Sequence, residues 1–171
     1  SFKRGLKREI PVSIVELDKK NANDIDTLYE VASAWDGKRP NFAREICREA
    51  EKEIFFEDEN NEHYIALTLQ QNDFKKLDPK KILGLAMFSE SKMFGNEISW
   101  LQVNPQNNYH ASEIERKYKN IGTAIIKYIQ KTFNDKPIFV NSAKDAIKFY
   151  KNNGFEAYEE TMPYFMTYPS V

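Results

Sequence analysis

The sequence predicts an α/β (α+β) domain, with a mixed, mostly antiparallel central sheet flanked by about four helices. Three observations carry this. The hydrophobic period switches repeatedly between two and about 3.6, in the order β-α-α-β-β-β-α-β-α-β. Two of the central strand-like segments are separated by Phe94-Gly95-Asn96, a turn that suits an antiparallel pair. The 171 residues, 41% hydrophobic, are enough for one buried core and too few for two comfortable ones.

Taken in order, residues 10–17 are β-like, with Ile10, Val12 and Ile14 on one face. Asn23 or Asp24 is expected to cap a helix carrying Ile25, Leu28, Tyr29, Ala32 and Trp35, and Gly37 and Pro40 stop it. A second helix is expected from about Asn41 to Phe56, with Phe42, Ile46, Ala50 and Ile54 along one side. The stretch from Glu57 to Glu62 reads as an acidic, turn-forming loop. Strands are expected at His63–Leu69, Ile82–Ser89 and Glu97–Val103, the first two separated by a polar segment. Residues 104–118 read as a polar connection. A strong helix follows from about Ile121 to Phe133, then a buried strand at Pro137–Asn141 and a shorter helix over 143–152. Gly154 ends that helix, because glycine takes the left-handed geometry cheaply. The aromatic tail from Phe155 to Tyr168 reads as one or two strands.

Composition narrows the function. Lys plus Arg total 25 and Asp plus Glu total 26, so the net charge of −1 offers no electrostatic basis for nucleic-acid binding. No run of about 18 apolar residues is present, so no membrane span is expected. Cys47 is the single cysteine, which rules out an intrachain disulfide or a cysteine metal cluster and fits a reducing, cytoplasmic setting. The two histidines, His63 and His110, are far apart, and no metal site is expected. The basic start (Lys3, Arg4, Lys7, Arg8) has no apolar stretch behind it, so it is not read as a signal peptide. Residues 1–9 are expected to form a poorly ordered lead-in to a single domain over 10–171.

The informative stretch is Trp100 to Phe133. A strand ends at Val103, and after a polar connection a helix opens at Asn120-Ile121-Gly122-Thr123-Ala124. A helix N-terminus offers unpaired N–H groups and the positive end of the dipole, and small residues let a phosphate approach the backbone. Lys117 and Lys119 add positive charge just before it. On these residues alone, a surface helix with a glycine in its first turn accounts for the segment equally well. No Walker-type loop, G-x-G-x-x-G or H-E-x-x-H is present.

The segment from Lys117 to Ala124 resembles the pyrophosphate loop Q/R-x-x-G-x-G/A of the GCN5-related N-acetyltransferases (GNAT). The strand from Glu97 to Pro105 resembles that family's fourth strand with its V-x-P exit. The run Ala146-Ile147-Lys148-Phe149-Tyr150-Lys151-Asn152-Asn153-Gly154-Phe155 is similar to the family's A-x-x-F-Y-x-x-x-G-F element. Lys117 stands where the family prefers Gln or Arg, and Asn120 where it prefers its first glycine. The resemblance covers about residues 82–155.

The resemblance implies a GNAT-like fold and an N-acetyltransferase that moves an acetyl group from acetyl-CoA, without a metal, to a primary amine by direct attack in a ternary complex. It implies that Lys117, Lys119, Asn120, Gly122, Thr123 and Ala124 form the pyrophosphate loop, and that backbone groups of Leu101 and Val103 pair with the pantetheine arm. Tyr150 matches the family's general acid, and Glu97 resembles the general base of the histone-acetyltransferase branch. Glu57, Asp58 or Glu62, or no residue at all, are the alternatives for the base. The acceptor is expected to be a small-molecule or peptide amine. Trp35, Phe42, Phe55 and Phe56, the acidic loop, and Tyr109 and His110 are in regions that could wall its cleft. A homodimer is left open. A non-catalytic acyl-CoA-binding or regulatory module of the same fold is the alternative, kept alive by Asn120.

Overall fold

The computed structural model describes residues 9–37, 41–55, 61–91, 95–105 and 118–169. In chain order the elements are β1 (Ser13–Leu17), α1 (Ala22–Ala34), α2 (Phe42–Phe55), β2 (Asn61–Thr68), β3 (Ile82–Ser91), β4 (Gly95–Val103), α3 (Ile121–Thr132), β5 (Ile138–Asn141), α4 (Ile147–Asn152), β6 (Glu156–Glu159) and β7 (Met162–Tyr168). The strands form one seven-stranded sheet in the order β1-β2-β3-β4-β5-β7-β6. Only β4 and β5 run parallel; the other neighbours are antiparallel. A parallel step needs a long crossover, and α3 lies in it.

Alternation sorts the apolar side chains into two cores, one on each face of the sheet. On one face Ala86, Phe88 and Ile98 meet Ile121, Ile125, Ile126 and Ile129 of α3, with Tyr150 of α4. On the other, Leu85 and Met87 meet Leu28, Val31 and Ala32 of α1 and Ala43, Ile46 and Ala50 of α2. The middle of β3 is therefore buried on both sides. α3 packs tightly over Gly84: a Cβ there would lie 2.7 Å from Ile125 Cδ1 and 3.1 Å from Ile121 Cγ2.

The expected elements are present with corrections. Gly95 and Asn96, read as part of a turn, are already strand residues of β4 paired with Ser91 and Glu90, and Glu62, read as the end of the acidic loop, lies in β2. β1 begins at Ser13 rather than at residue 10. Asn21, not Asn23 or Asp24, caps α1: its side chain accepts from the Asn23 N–H at 2.9 Å. Asp24 instead is buried and accepts from the Asp18 N–H at 2.8 Å. The helix expected over 143–152 is a 3-10 turn at Lys144–Ala146 followed by α4. The aromatic tail forms two strands, β6 and β7, and Gly154 has the left-handed φ expected of it, +89°. The lead-in up to residue 8, the acidic stretch from Glu57 to residue 60, and Phe56, Tyr109, His110 and Lys117 lie outside the described residues. Among the described residues no helix is long and apolar enough to cross a membrane.

Cys47 is buried on α2, with Sγ 3.8 Å from Glu51 Oε1. Burial, then the Glu51 carboxylate, pushes its thiol from 9.0 up to about 11. The unfolded chain therefore loses this proton first. The thiol's contribution to stability is complete below pH 9 and lost as pH rises through about 11. Denaturant titrations should show stability falling over that window, with a shallower fall in Cys47→Ala. An unchanged slope in that variant would remove Cys47 as the cause.

Candidate active site

β4 pairs with β3 from Gly95 to Val103, but with β5 only at Asn96, Glu97 and Ile98. Ser99 is an extra residue in β4: Ile98 is opposite Phe88 and Trp100 opposite Met87. A bulge of this kind bends the strand and increases its twist. From Ser99 to Val103, β4 has no strand partner on its β5 side among the described residues.

Hydrogen-bond parity shows which residues serve that free edge. The Asn104 N–H donates to Leu83 O at 2.8 Å, so Gln102, two residues earlier, also directs its backbone groups to β3. Leu101 and Val103 alternate with these and direct their N–H and C=O to the free side. They are the two residues expected to pair with a pantetheine arm.

The end of that edge meets the start of α3. Asn120 has φ 65° and ψ 21°, the left-handed conformation that the family's glycine would supply. Asparagine tolerates this region better than most residues. Its side chain makes no cap hydrogen bond, and the helix ladder begins only with Ala124 N–H to Asn120 O at 2.9 Å. The amides of Ile121, Gly122 and Thr123 therefore have no partner within the helix. Lys119 is exposed beside them.

Gly122 is buried, and its lack of a side chain serves packing. A Cβ there would lie 2.9 Å from the ring of Phe149 and 3.7 Å from Val103 Cγ2. The two motifs read separately in the sequence therefore touch, since Phe149 of α4 rests on the first turn of α3.

Tyr150 follows Phe149 and is 6% exposed. Its ring makes edge contacts with Phe149 at 5.1 Å and Phe155 at 5.4 Å between centroids. No hydrogen bond to its hydroxyl occurs among the described residues. Burial drives its pKa well above the ordinary phenol value, so the hydroxyl stays protonated. Glu97 is exposed, opposite Ser89 and Phe139, one residue before the last β4–β5 pair. By register it shares the α1–α2 face with Leu85 and Met87, whereas Tyr150 lies in the core on the other face. Glu97 and Tyr150 thus stand on opposite sides of the place where β4 and β5 part.

Two residues given no role in the sequence reading join this region. Trp100 packs on the α1–α2 face, its ring 5.1 Å from that of Phe42. Gln102 is buried, and its Oε1 accepts from the Phe42 N–H at 2.6 Å and the Ala43 N–H at 3.1 Å. The one available signal was a glutamine at an inward position of an apolar strand. Trp35 is 3% exposed within the α1–α2 core and is closed to a ligand. His63 lies within β2, stacked on Phe88 at 4.9 Å, with Nδ1 3.5 Å from Glu16 Oε1.

The same architecture occurs in solved acetyltransferases. A GNAT-family acetyltransferase from Staphylococcus aureus superposes with a TM-score of 0.53 at 14% identity, covering 92% of this chain and 98% of that one. A predicted acetyltransferase from Clostridium acetobutylicum, solved with acetyl-CoA, gives 0.51 at 16% identity, over 88% and 93%. Tetrahymena GCN5 gives 0.51 at 14% identity, over 94% and 98%. No family model and no curated protein matches the sequence. The fold is that of the GNAT acetyltransferases, and at these identities the likeness is one of fold.

Proposed function

We propose that this chain is an acetyl-CoA-dependent N-acetyltransferase acting on a primary amine. The observation that carries the reading is the free edge of β4 from Ser99 to Val103, which ends against an α3 N-terminus with no side-chain cap. The pantetheine amides pair with Leu101 and Val103 as an added strand. The pyrophosphate lies on the amides at the start of α3, with Lys119 and Lys117 supplying positive charge and Thr123 and Ala124 as small residues of the first turn. The amine nitrogen attacks the thioester carbonyl, and the Val103 N–H steadies the developing oxyanion. As the C–S bond breaks, Tyr150 gives its proton to the departing thiolate. Its buried hydroxyl, with no hydrogen-bond partner among the described residues, supports that role. Glu97 takes the proton lost by the amine, directly or through water. The left-handed Asn120 supports acyl-CoA binding, which the non-catalytic alternative shares, and the buried Tyr150 hydroxyl is what favours the enzyme.

The test is a thermal-shift series with acetyl-CoA, CoA and dephospho-CoA, followed by CoA release against spermidine, a lysine-containing peptide and glucosamine. Acetyl-CoA at about 100 times its Kd should stabilise the protein by about 2.7 kcal/mol. Asn120→Gly should keep that shift. Asn120→Val places a β-branched residue at positive φ, at a cost of about 1–2 kcal/mol, and should lose most of it. No shift at millimolar acetyl-CoA would overturn the proposal.

A further inference from the structure

We infer that Gln102 is a positioning residue that sets the acceptor wall at a fixed distance from the acetyl-CoA edge of β4; this rests on the function proposed above. Gln102 alternates with Leu101 and Val103, so its side chain leaves the sheet on the α1–α2 face while theirs pack toward α3. Its carbonyl oxygen has two lone pairs and uses both. It holds the first two amides of α2, Phe42 at 2.6 Å and Ala43 at 3.1 Å, from 60 and 59 residues away in sequence. The next amide, Arg44, is taken locally by Asn41 Oδ1 at 3.3 Å.

The same first turn carries the aromatic wall. Phe42, tethered by its own N–H, brings its ring to 5.1 Å from Trp100, which leaves β4 on the same face two residues before Gln102. Both rings are partly exposed, and Glu97 stands further back on that face. Ring faces and a carboxylate suit the approach of a cationic amine. One side-chain oxygen therefore ties together two surfaces: the aromatic pair that an amine would meet, and the strand edge that would hold the thioester. Without it, two amides at the head of α2 lose their acceptor. An unsatisfied donor costs enough to move the turn rather than leave it in place.

The experiment compares wild type with Gln102→Leu, which removes the acceptor at similar size, Gln102→Glu, which keeps the oxygens, and Gln102→Asn, which draws the amide back by one methylene. Each is assayed for kcat and for the KM of whichever of spermidine, lysine peptide or glucosamine turns over. Acetyl-CoA Kd and the exchange rates of the Phe42 and Ala43 amides complete the set. Gln102→Leu and Gln102→Asn should raise the amine KM about tenfold, the scale of one lost hydrogen bond, with acetyl-CoA Kd unchanged and faster exchange at both amides. Gln102→Glu should restore the KM. The Asn variant carries the test if the Leu variant does not fold. A wild-type amine KM in these variants, or acetyl-CoA affinity lost in step with it, would overturn the inference while leaving the acetyltransferase reading intact. A wild-type protein that neither binds acetyl-CoA nor acetylates an amine would remove both.

Discussion

Tyr150→Phe is expected to lower turnover about a hundredfold or more, the range for loss of a positioned general acid, with acetyl-CoA affinity retained. The reason is the hydroxyl's surroundings. A polar group buried without a hydrogen-bond partner is disfavoured and rare, yet Tyr150 is 6% exposed and its ring alone satisfies the packing against Phe149 and Phe155. Replacing it by Phe removes one oxygen and leaves every ring contact in place, so the folded protein should be no less stable. Its raised pKa keeps the proton on the phenol throughout the neutral range, so the residue rests in the donor form and is not a base. The decisive readings are kcat by CoA release and Kd by thermal shift on the same sample. Wild-type turnover in the Phe variant would make Tyr150 a core tyrosine. A parallel loss of acetyl-CoA binding would make it a packing residue of the cofactor site.

Gly84→Val should cost about 2–3 kcal/mol, the upper range for overpacking a core, or on the order of 5–10 °C in Tm for a domain of this size. A single added Cβ meets Ile125 Cδ1 at 2.7 Å, and Ile125 is completely buried, so the collision cannot be relieved by swinging into solvent. Ile125 must repack inside the core or α3 must move off the sheet. Because α3 also presents the amides of Ile121, Gly122 and Thr123 beside Val103, acetyl-CoA stabilisation should shrink further than the lower Tm alone implies. Ile125→Val deletes the colliding Cδ1. The pair Gly84→Ala and Ile125→Val should therefore be less destabilised together than the sum of the two single changes. Simple additivity would mean that α3 does not bear on the sheet through this contact.

The part of the site most readable from sequence was the part built from neighbouring residues. The strand into Val103, the small-residue opening of α3 and the Phe149–Tyr150 pair each fall within a few positions, so pattern and resemblance located them. Asn120 was read as able to stand in for glycine, and its φ of 65° agrees. What was missed depended on distant partners or on near-equal local choices. Gln102 reaches across 60 residues to α2, which no local pattern reports. Asn21, Asn23 and Asp24 are all competent caps; Asp24 turns inward to Asp18 and the Asn23 side chain donates to Lys75 O, which leaves Asn21. The apolar spacing of Ala143, Ala146, Ile147 and Tyr150 continues through a change from 3-10 to α geometry, so the spacing could not show the break. Gly122 was read as giving a ligand access to the backbone; the structure adds that the space where its side chain would be is taken by Phe149.

Ser99 acts on the sheet as a one-letter insertion acts on a reading frame. Upstream of it, Ile98 belongs to the α3 core; downstream, Trp100 belongs to the α1–α2 core and Leu101 again to the α3 side. With Ser99 deleted, strict alternation would put Trp100 where Ser99 now stands, on the face opposite Ile98, and the pairing with Met87 could survive. The bend that turns β4 away from β5 would be lost instead, and Asn141, the last residue of β5, would come opposite the next residue of β4. The opening between the two strands thus has two sources, one surplus residue in β4 that throws it out of step and a β5 that stops at Asn141.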